Sequence, residues 1–184
     1  AAGRTRRSVR GFVMGARAAD PGAPVGAGSS RELLGPSRGK GSRHEVAPTG
    51  GAAFTWPIRV YWEDTDGGGV VYHANYVKFL ERARTEWLRA KGYEQRALLL
   101  STGVVFAVYS MQLQFLKPAR LDDALQVSVL LTSCRRASFT VSQSIIDVRG
   151  GAQLCRAEVE IACLDQATFR PIPIPAELLM EIQR

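Results

Sequence analysis

Glu63-Asp64-Thr65-Asp66-Gly67-Gly68-Gly69-Val70-Val71-Tyr72-His73-Ala74-Asn75-Tyr76 is the stretch that decides how this chain folds. Two carboxylates, Asp64 and Asp66, precede three consecutive glycines, and a long helical pattern starts at about residue 74. The glycine run permits positive φ and close approach of backbone to another group. A helix starting just beyond such a loop offers unpaired N–H groups and the positive end of its dipole. A carboxylate held beside them sits where a carbonyl can be polarised and attacked, which is an arrangement for acyl chemistry. Asp-x-Asp-Gly before a helix is also an ordinary turn, its carboxylates bonding nearby backbone N–H groups. Spacing alone leaves both readings open. A calcium-loop reading fails, because Gly68 and Val71 stand where ligands belong. A phosphate-loop reading fails because no Lys-Ser or Lys-Thr follows the glycines.

On the N-terminal side, Ile58, Val60 and Trp62 alternate with Arg59, Tyr61 and Glu63, predicting a half-buried strand over 58–62. On the C-terminal side, Tyr76, Phe79, Leu80, Ala83, Trp87 and Ala90 recur at three- and four-residue intervals and form one apolar helix face up to about residue 91. Arg82 and Glu86 are spaced for an i,i+4 ion pair on the polar side. Gly92 stands where a helix usually stops. A shorter helix is expected over about 94–100. Four strands follow. Over 104–116 the odd positions Val105, Ala107, Tyr109, Met111, Leu113 and Phe115 are apolar, and over 124–133 the inward set is Leu125, Val127, Val129 and Leu131. Arg135-Arg136 turns the chain into a strand over 138–148, and Gly150-Gly151 supplies the next hairpin loop. The last long strand turns Cys155, Ala157, Val159, Ile161 and Cys163 inward against Arg156, Glu158 and Glu160. Pro171, Pro173 and Pro175 then break pairing, and 176–183 reads as a terminal helix. One strand, one long helix and a meander of hairpins give an α+β fold, an antiparallel sheet wrapped round a helix.

The chain has 184 residues and a formal net charge of +7. Residues 1–53 hold nine Lys and Arg against three Asp and Glu, so nearly all of the excess lies there. That segment is rich in Gly, Ala, Pro, Ser and Arg, lacks apolar periodicity and is expected to be disordered. Its Arg-rich, acid-poor character faintly resembles an organellar transit peptide, though a solvated tail accounts for it as well. The folded part, 54–184, is nearly neutral, which argues against a nucleic-acid-binding domain with its own basic stripe. Gly35-Pro36-Ser37-Arg38-Gly39 matches the nucleophile-elbow pattern but lacks the strand and helix that motif requires. Cys134, Cys155 and Cys163 are odd in number with no C-x-x-C, favouring free thiols in a reducing, cytoplasmic setting. The in-facing Cys155 and Cys163 read as small core residues. No apolar run is long enough to span a membrane, and His44 and His73 are too isolated to form a metal site.

Asp64-Thr65-Asp66-x-x-Gly69-x-Val71-Tyr72-His73-x-Asn75-Tyr76 resembles the signature of the 4-hydroxybenzoyl-CoA thioesterase branch of the hot-dog-fold superfamily. Within it the pattern is most similar to the acyl-CoA thioesterases associated with the bacterial Tol–Pal system. Arg59-Val60-Tyr61, Glu81-Arg82-Ala83-Arg84-Thr85-Glu86 and Pro118-Ala119-Arg120-Leu121-Asp122-Asp123 match that group too. The resemblance runs from about residue 54 to the C-terminus.

It implies a hot-dog fold of about five strands round one helix, and a thioesterase hydrolysing short- to medium-chain acyl-CoA. No cofactor and no metal are implied. Asp66 matches the catalytic carboxylate, acting as nucleophile or as general base. The His73 amide matches the donor that polarises the carbonyl, and a His at 73 points to a non-aromatic acyl group. Gly69, Val71 and Tyr72 fall in the substrate-binding loop. Arg135 and Arg136 fall at a hairpin tip where relatives meet the nucleotide phosphates of CoA, and Arg120 is a weaker candidate for the same role. Asp64 is expected to be structural, and Asn75 and Tyr76 cap and core. The implied partners are acyl-CoA, an acyl carrier protein as a further option, and copies of the chain itself in a dimer or dimer of dimers, with sites at the dimer boundary. Neither nucleic acid nor a membrane span is implied. Two alternatives stay open: an aroyl-CoA thioesterase of the 4-hydroxybenzoyl type, and a non-catalytic scaffold binding acyl carrier protein or cell-envelope partners.

Overall fold

The computed structural model describes residues 53–184. The basic segment expected to be disordered, the Gly35–Gly39 pattern and His44 lie outside the described residues, apart from residue 53 itself.

Five strands form one antiparallel sheet: β1 Phe54–Arg59, β2 Val104–Phe115, β3 Ala124–Cys134, β4 Ser138–Asp147 and β5 Gln153–Asp165. Their order is β1-β3-β4-β5-β2. Helix α1, His73–Ala90, lies against β1 and β3, while α2, Gln95–Thr102, leads into β2 and α3, Ala176–Gln183, closes the chain. The core is the seam between α1 and the sheet. Phe79, Leu80 and Ala83 from the helix meet Leu125, Val127, Val129, Val141, Ile145 and Val159 from the strands, all essentially sealed from solvent. Gly92, at φ +88, ends α1 through the left-handed bend that glycine favours there, with the Tyr93 N–H returning to the Leu88 carbonyl at 3.0 Å. The α+β expectation, the inward set of β3, both hairpin turns and the inward set of β5 all hold.

Three local expectations do not. The strand over 58–62 is displaced: β1 ends at Arg59, and Trp62 stands 78% exposed in a short 3-10 turn, Trp62–Asp64. The Asp64 carboxylate accepts the Tyr61 N–H at 2.9 Å and the Asp64 N–H donates to the Tyr61 carbonyl at 3.0 Å, so the backbone curls before alternation reaches Trp62. In β2 the odd-position pattern breaks at a bulge. Val108 pairs with Ile161 and Ser110 with Glu160, which leaves Tyr109 without a partner and 76% exposed. The extra residue reverses the parity of the strand. Val104 and Phe106 therefore pack inward before the bulge, and Met111 and Leu113 after it. On α1, Glu86 pairs with Arg89 rather than Arg82, and Ala90 is exposed. Arg84, by contrast, is buried. It donates to Gln143 Oε1 at 2.8 Å, and Gln143 Nε2 donates to the Leu80 carbonyl at 3.1 Å. Burial lowers the pKa of this guanidinium from its ordinary value.

Candidate active site

The glycine run forms the tip of a minute hairpin, closed by a bridge between Thr65 and Val71. The Asp66 N–H donates to the Val70 carbonyl at 2.9 Å, and the Gly69 N–H returns to the Asp66 carbonyl at 3.0 Å. Gly69 holds φ +71, which a side chain would resist. The Gly68 N–H donates to Asp66 Oδ1 at 2.8 Å and fixes the carboxylate's orientation. Its other oxygen has no partner among the described residues. The site therefore carries an oriented, solvent-accessible carboxylate.

Hydrogen bonds anchor this hairpin to the β2–β3 connection and to the start of the helix. The Val71 N–H donates to the Ala119 carbonyl at 2.8 Å, and the Tyr72 N–H to the Asp64 carbonyl at 2.9 Å. Asn75 Nδ2 donates to that same Asp64 carbonyl at 2.9 Å. Asp64 is thus a buried anchor with its carboxylate turned to Tyr61. Tyr72 is the residue before α1, and its side chain does not cap the helix. The N–H groups of His73 and Ala74 have no acceptor among the described residues. They are the donors expected at a helix start.

Asp66, Val71 and His73 open onto one pocket of about 320 Å³, together with Tyr76, Phe115 and Lys117. The His73 ring lies 4.3 Å from that of Tyr72 and edge-on to Phe115 at 6.5 Å. Gly69 and Tyr72 shape the loop without lining this pocket. A larger hollow of about 560 Å³ lies around Gln112, Ser142, Arg156 and Glu158, but no helix terminus lines it.

Arg135 and Arg136 occupy the β3–β4 hairpin and are exposed, with Arg135 Nη1 3.6 Å from Glu160. Within one chain they stand at the far end of the sheet. Ser138 pairs with Ala162 and Phe115 with Cys155, seven residues apart on β5, or roughly 24 Å. Two further contributors to the site were assigned no such role from sequence. Phe115 was read from sequence only as an apolar strand residue, and it lines the pocket from the end of β2. Ala119 uses both backbone groups, accepting from Val71 and donating to the Tyr76 hydroxyl oxygen at 2.8 Å. Its segment, Pro118 to Asp123, was visible only as a matching motif.

A carboxylate and a helix start with free N–H groups that line one pocket with an apolar wall suit attack on a carbonyl whose oxygen those N–H groups hold. Residues 60–182 match the family model described as "Thioesterase-like superfamily". The chain is 44% identical over 131 residues to the acyl-CoA thioester hydrolase YbgC of Escherichia coli O157:H7, covering 71% of this chain and 96% of that protein. It is 39% identical over 125 residues to the acyl-CoA thioesterase YbgC of Haemophilus influenzae, covering 68% and 90%. Among solved structures, a probable thioesterase from Bartonella henselae superposes with a TM-score of 0.63 at 35% identity, covering 67% of this chain and all of that one. With the family model spanning four of the five strands, the glycine hairpin and the helix it feeds, the chain belongs to the thioesterase-like superfamily and has its hot-dog fold.

Proposed function

We propose that the protein hydrolyses acyl-CoA thioesters to free acid and CoA, acting on short- to medium-chain acyl groups. The observation that carries this reading is that one pocket is lined by both Asp66, whose carboxylate keeps one oxygen free, and His73, the first residue of α1, whose N–H has no acceptor among the described residues. The thioester carbonyl oxygen accepts from the His73 amide, and one such donor is worth about 2.7–4 kcal/mol in the transition state. Asp66 then acts in one of two ways. As a nucleophile it forms a mixed anhydride and expels CoA thiolate, and water cleaves the anhydride. As a base it takes a proton from water that attacks the carbonyl carbon directly. Either way the thiolate leaves as the carbonyl re-forms and is protonated by solvent.

Self-association of the chain is part of the proposal. Strand β2 pairs only with β5 among the described residues and presents Val108 and Tyr109 at a sheet edge. Antiparallel pairing of β2 with its copy about the strand centre would set the partner's Val104 end beside Phe115. The hairpin carrying Arg135 and Arg136 of that copy then approaches this pocket, giving the two arginines a route to the phosphates of CoA. A dimer, or two dimers together, is the assembly this favours. The free thiols of Cys134, Cys155 and Cys163 support a reducing, cytoplasmic setting where CoA thioesters occur. Among the described residues no helix is long and apolar enough to cross a membrane. An acyl carrier protein as alternative acyl donor is proposed alongside.

Turnover of butyryl-, octanoyl- and benzoyl-CoA tests the reading. Hydrolysis of the aliphatic thioesters supports it. A preference for benzoyl-CoA would favour the aroyl alternative, and no turnover of any CoA or carrier-protein thioester would favour the scaffold. Arg135→Ala combined with Arg136→Ala is expected to raise KM for butyryl-CoA while leaving butyryl-pantetheine unaffected.

A further inference from the structure

We propose that Phe115 is the residue that sets acyl-chain length, its ring ending the space available beyond the carbonyl. This rests on the acyl-CoA reading above. The pocket wall facing Asp66 and His73 is built from Val71, Tyr76, Phe115, Leu116 and Pro118, with Lys117 as its cation. A pantetheine arm carries amides that need polar partners, whereas an alkyl chain needs what this wall provides. The acyl group is therefore the portion that lies against it.

Two of these side chains are pinned. Val71 is 4% exposed and its N–H is held by Ala119. Tyr76 is 3% exposed, and its hydroxyl oxygen is occupied by the Ala119 N–H. The backbone at Phe115 is held as well, since it pairs with Cys155 and the next N–H, of Leu116, donates to the Leu154 carbonyl at 2.8 Å. The Phe115 side chain differs. It is 50% exposed and rests edge-on against Tyr76 at 5.3 Å and His73 at 6.5 Å, with no polar anchor. Among the described residues it is the aromatic ring that meets the His73 ring from the strand side. Its size consequently decides how far a chain extends from the reacting carbonyl, while the carboxylate and amide stay in place.

The test is the ratio of kcat/KM for octanoyl-CoA to that for butyryl-CoA in the full chain. Phe115→Ala is expected to raise the ratio at least about tenfold, the scale at which pocket volume discriminates alkyl groups. Phe115→Trp is expected to lower it. Phe115→Leu, which keeps an apolar strand residue, is expected to fall between wild type and Ala, and it carries the test if the Ala variant shows no cooperative melt. A loss of stability alone would depress both substrates together and leave the ratio unchanged. Ratios within about twofold of wild type in the folded variants would overturn the proposal while leaving the thioesterase reading intact. A wild-type protein that turns over neither substrate would overturn both.

Discussion

The hydroxyl oxygen of Tyr76, on α1, accepts the backbone N–H of Ala119 at 2.8 Å, and the Ala119 carbonyl accepts the N–H of Val71 at 2.8 Å. One residue in the connection between β2 and β3 thereby ties the glycine hairpin to the first turn of the helix. The distance between carboxylate and amide donors is set by this tie as much as by the loop. Tyr76→Phe leaves the buried Ala119 N–H without an acceptor. It is expected to cost about 1–3 kcal/mol of stability, read as a lower thermal midpoint, with a fall in kcat in protein that is still folded. An unchanged midpoint and an unchanged kcat would show that the tie is dispensable.

Asp64 and Asp66, two residues apart, are expected to respond differently. Asp66 is exposed, and its only side-chain bond among the described residues is from the Gly68 N–H. Asp66→Asn retains that acceptor and removes the charge. It is expected to reduce kcat at least about a hundredfold with an unchanged melt. Asp64→Ala removes the acceptor for the Tyr61 N–H. It is expected to lower stability by about 1 kcal/mol with the smaller effect on turnover. Equal kcat for wild type and Asp66→Asn would refute the assignment of Asp66.

The three glycines separate in the same assays. At Gly67 an added Cβ meets nothing within 4 Å and the φ is ordinary, so Gly67→Ala is expected to be close to silent. At Gly69 there is equal room but φ is +71, so Gly69→Ala is expected to destabilise by about 1 kcal/mol. At Gly68 a Cβ would stand 3.1 Å from Asp66 Oδ1. The carboxylate must shift, so Gly68→Ala is expected to lower kcat roughly tenfold with little change in melting temperature.

Burial pushes the thiols of Cys155 and Cys163 up from 9.0 to about 11. The folded protein therefore holds these protons more tightly than the unfolded chain does. Their contribution to stability is complete below pH 9 and is lost as pH rises towards about 11. Desolvation raises the Tyr76 hydroxyl above 10.0, which acts in the same direction. Urea midpoints are expected to fall between pH 8 and pH 10.5, and to fall less in a Cys155→Ala, Cys163→Ala protein. The cavities those substitutions leave are the same at both pH values, so the difference isolates the thiols.

The sequence by itself determined the α+β class, the extent of α1, the inward faces of β3 and β5 and the nearness of Asp66 to the start of α1. All of these rest on local periodicity, on a glycine run, or on a motif carried by neighbouring residues. Asp66, Val71 and His73 could be named together because only a few residues separate them. Tertiary structure alone decided what surrounds them. Val104 and Phe106 turn inward in place of Val105 and Ala107 because of a bulge at Tyr109, and a bulge is created by the register between β2 and β5 rather than by either strand alone. Trp62 leaves the sheet because the Asp64 carboxylate competes for its neighbour's backbone. Ala119 meets Tyr76 across 43 residues of chain, and a backbone group has no sequence signature that could announce such a contact. Arg84, charged in composition, is buried because Gln143 on a distant strand supplies the acceptor that makes its burial tolerable.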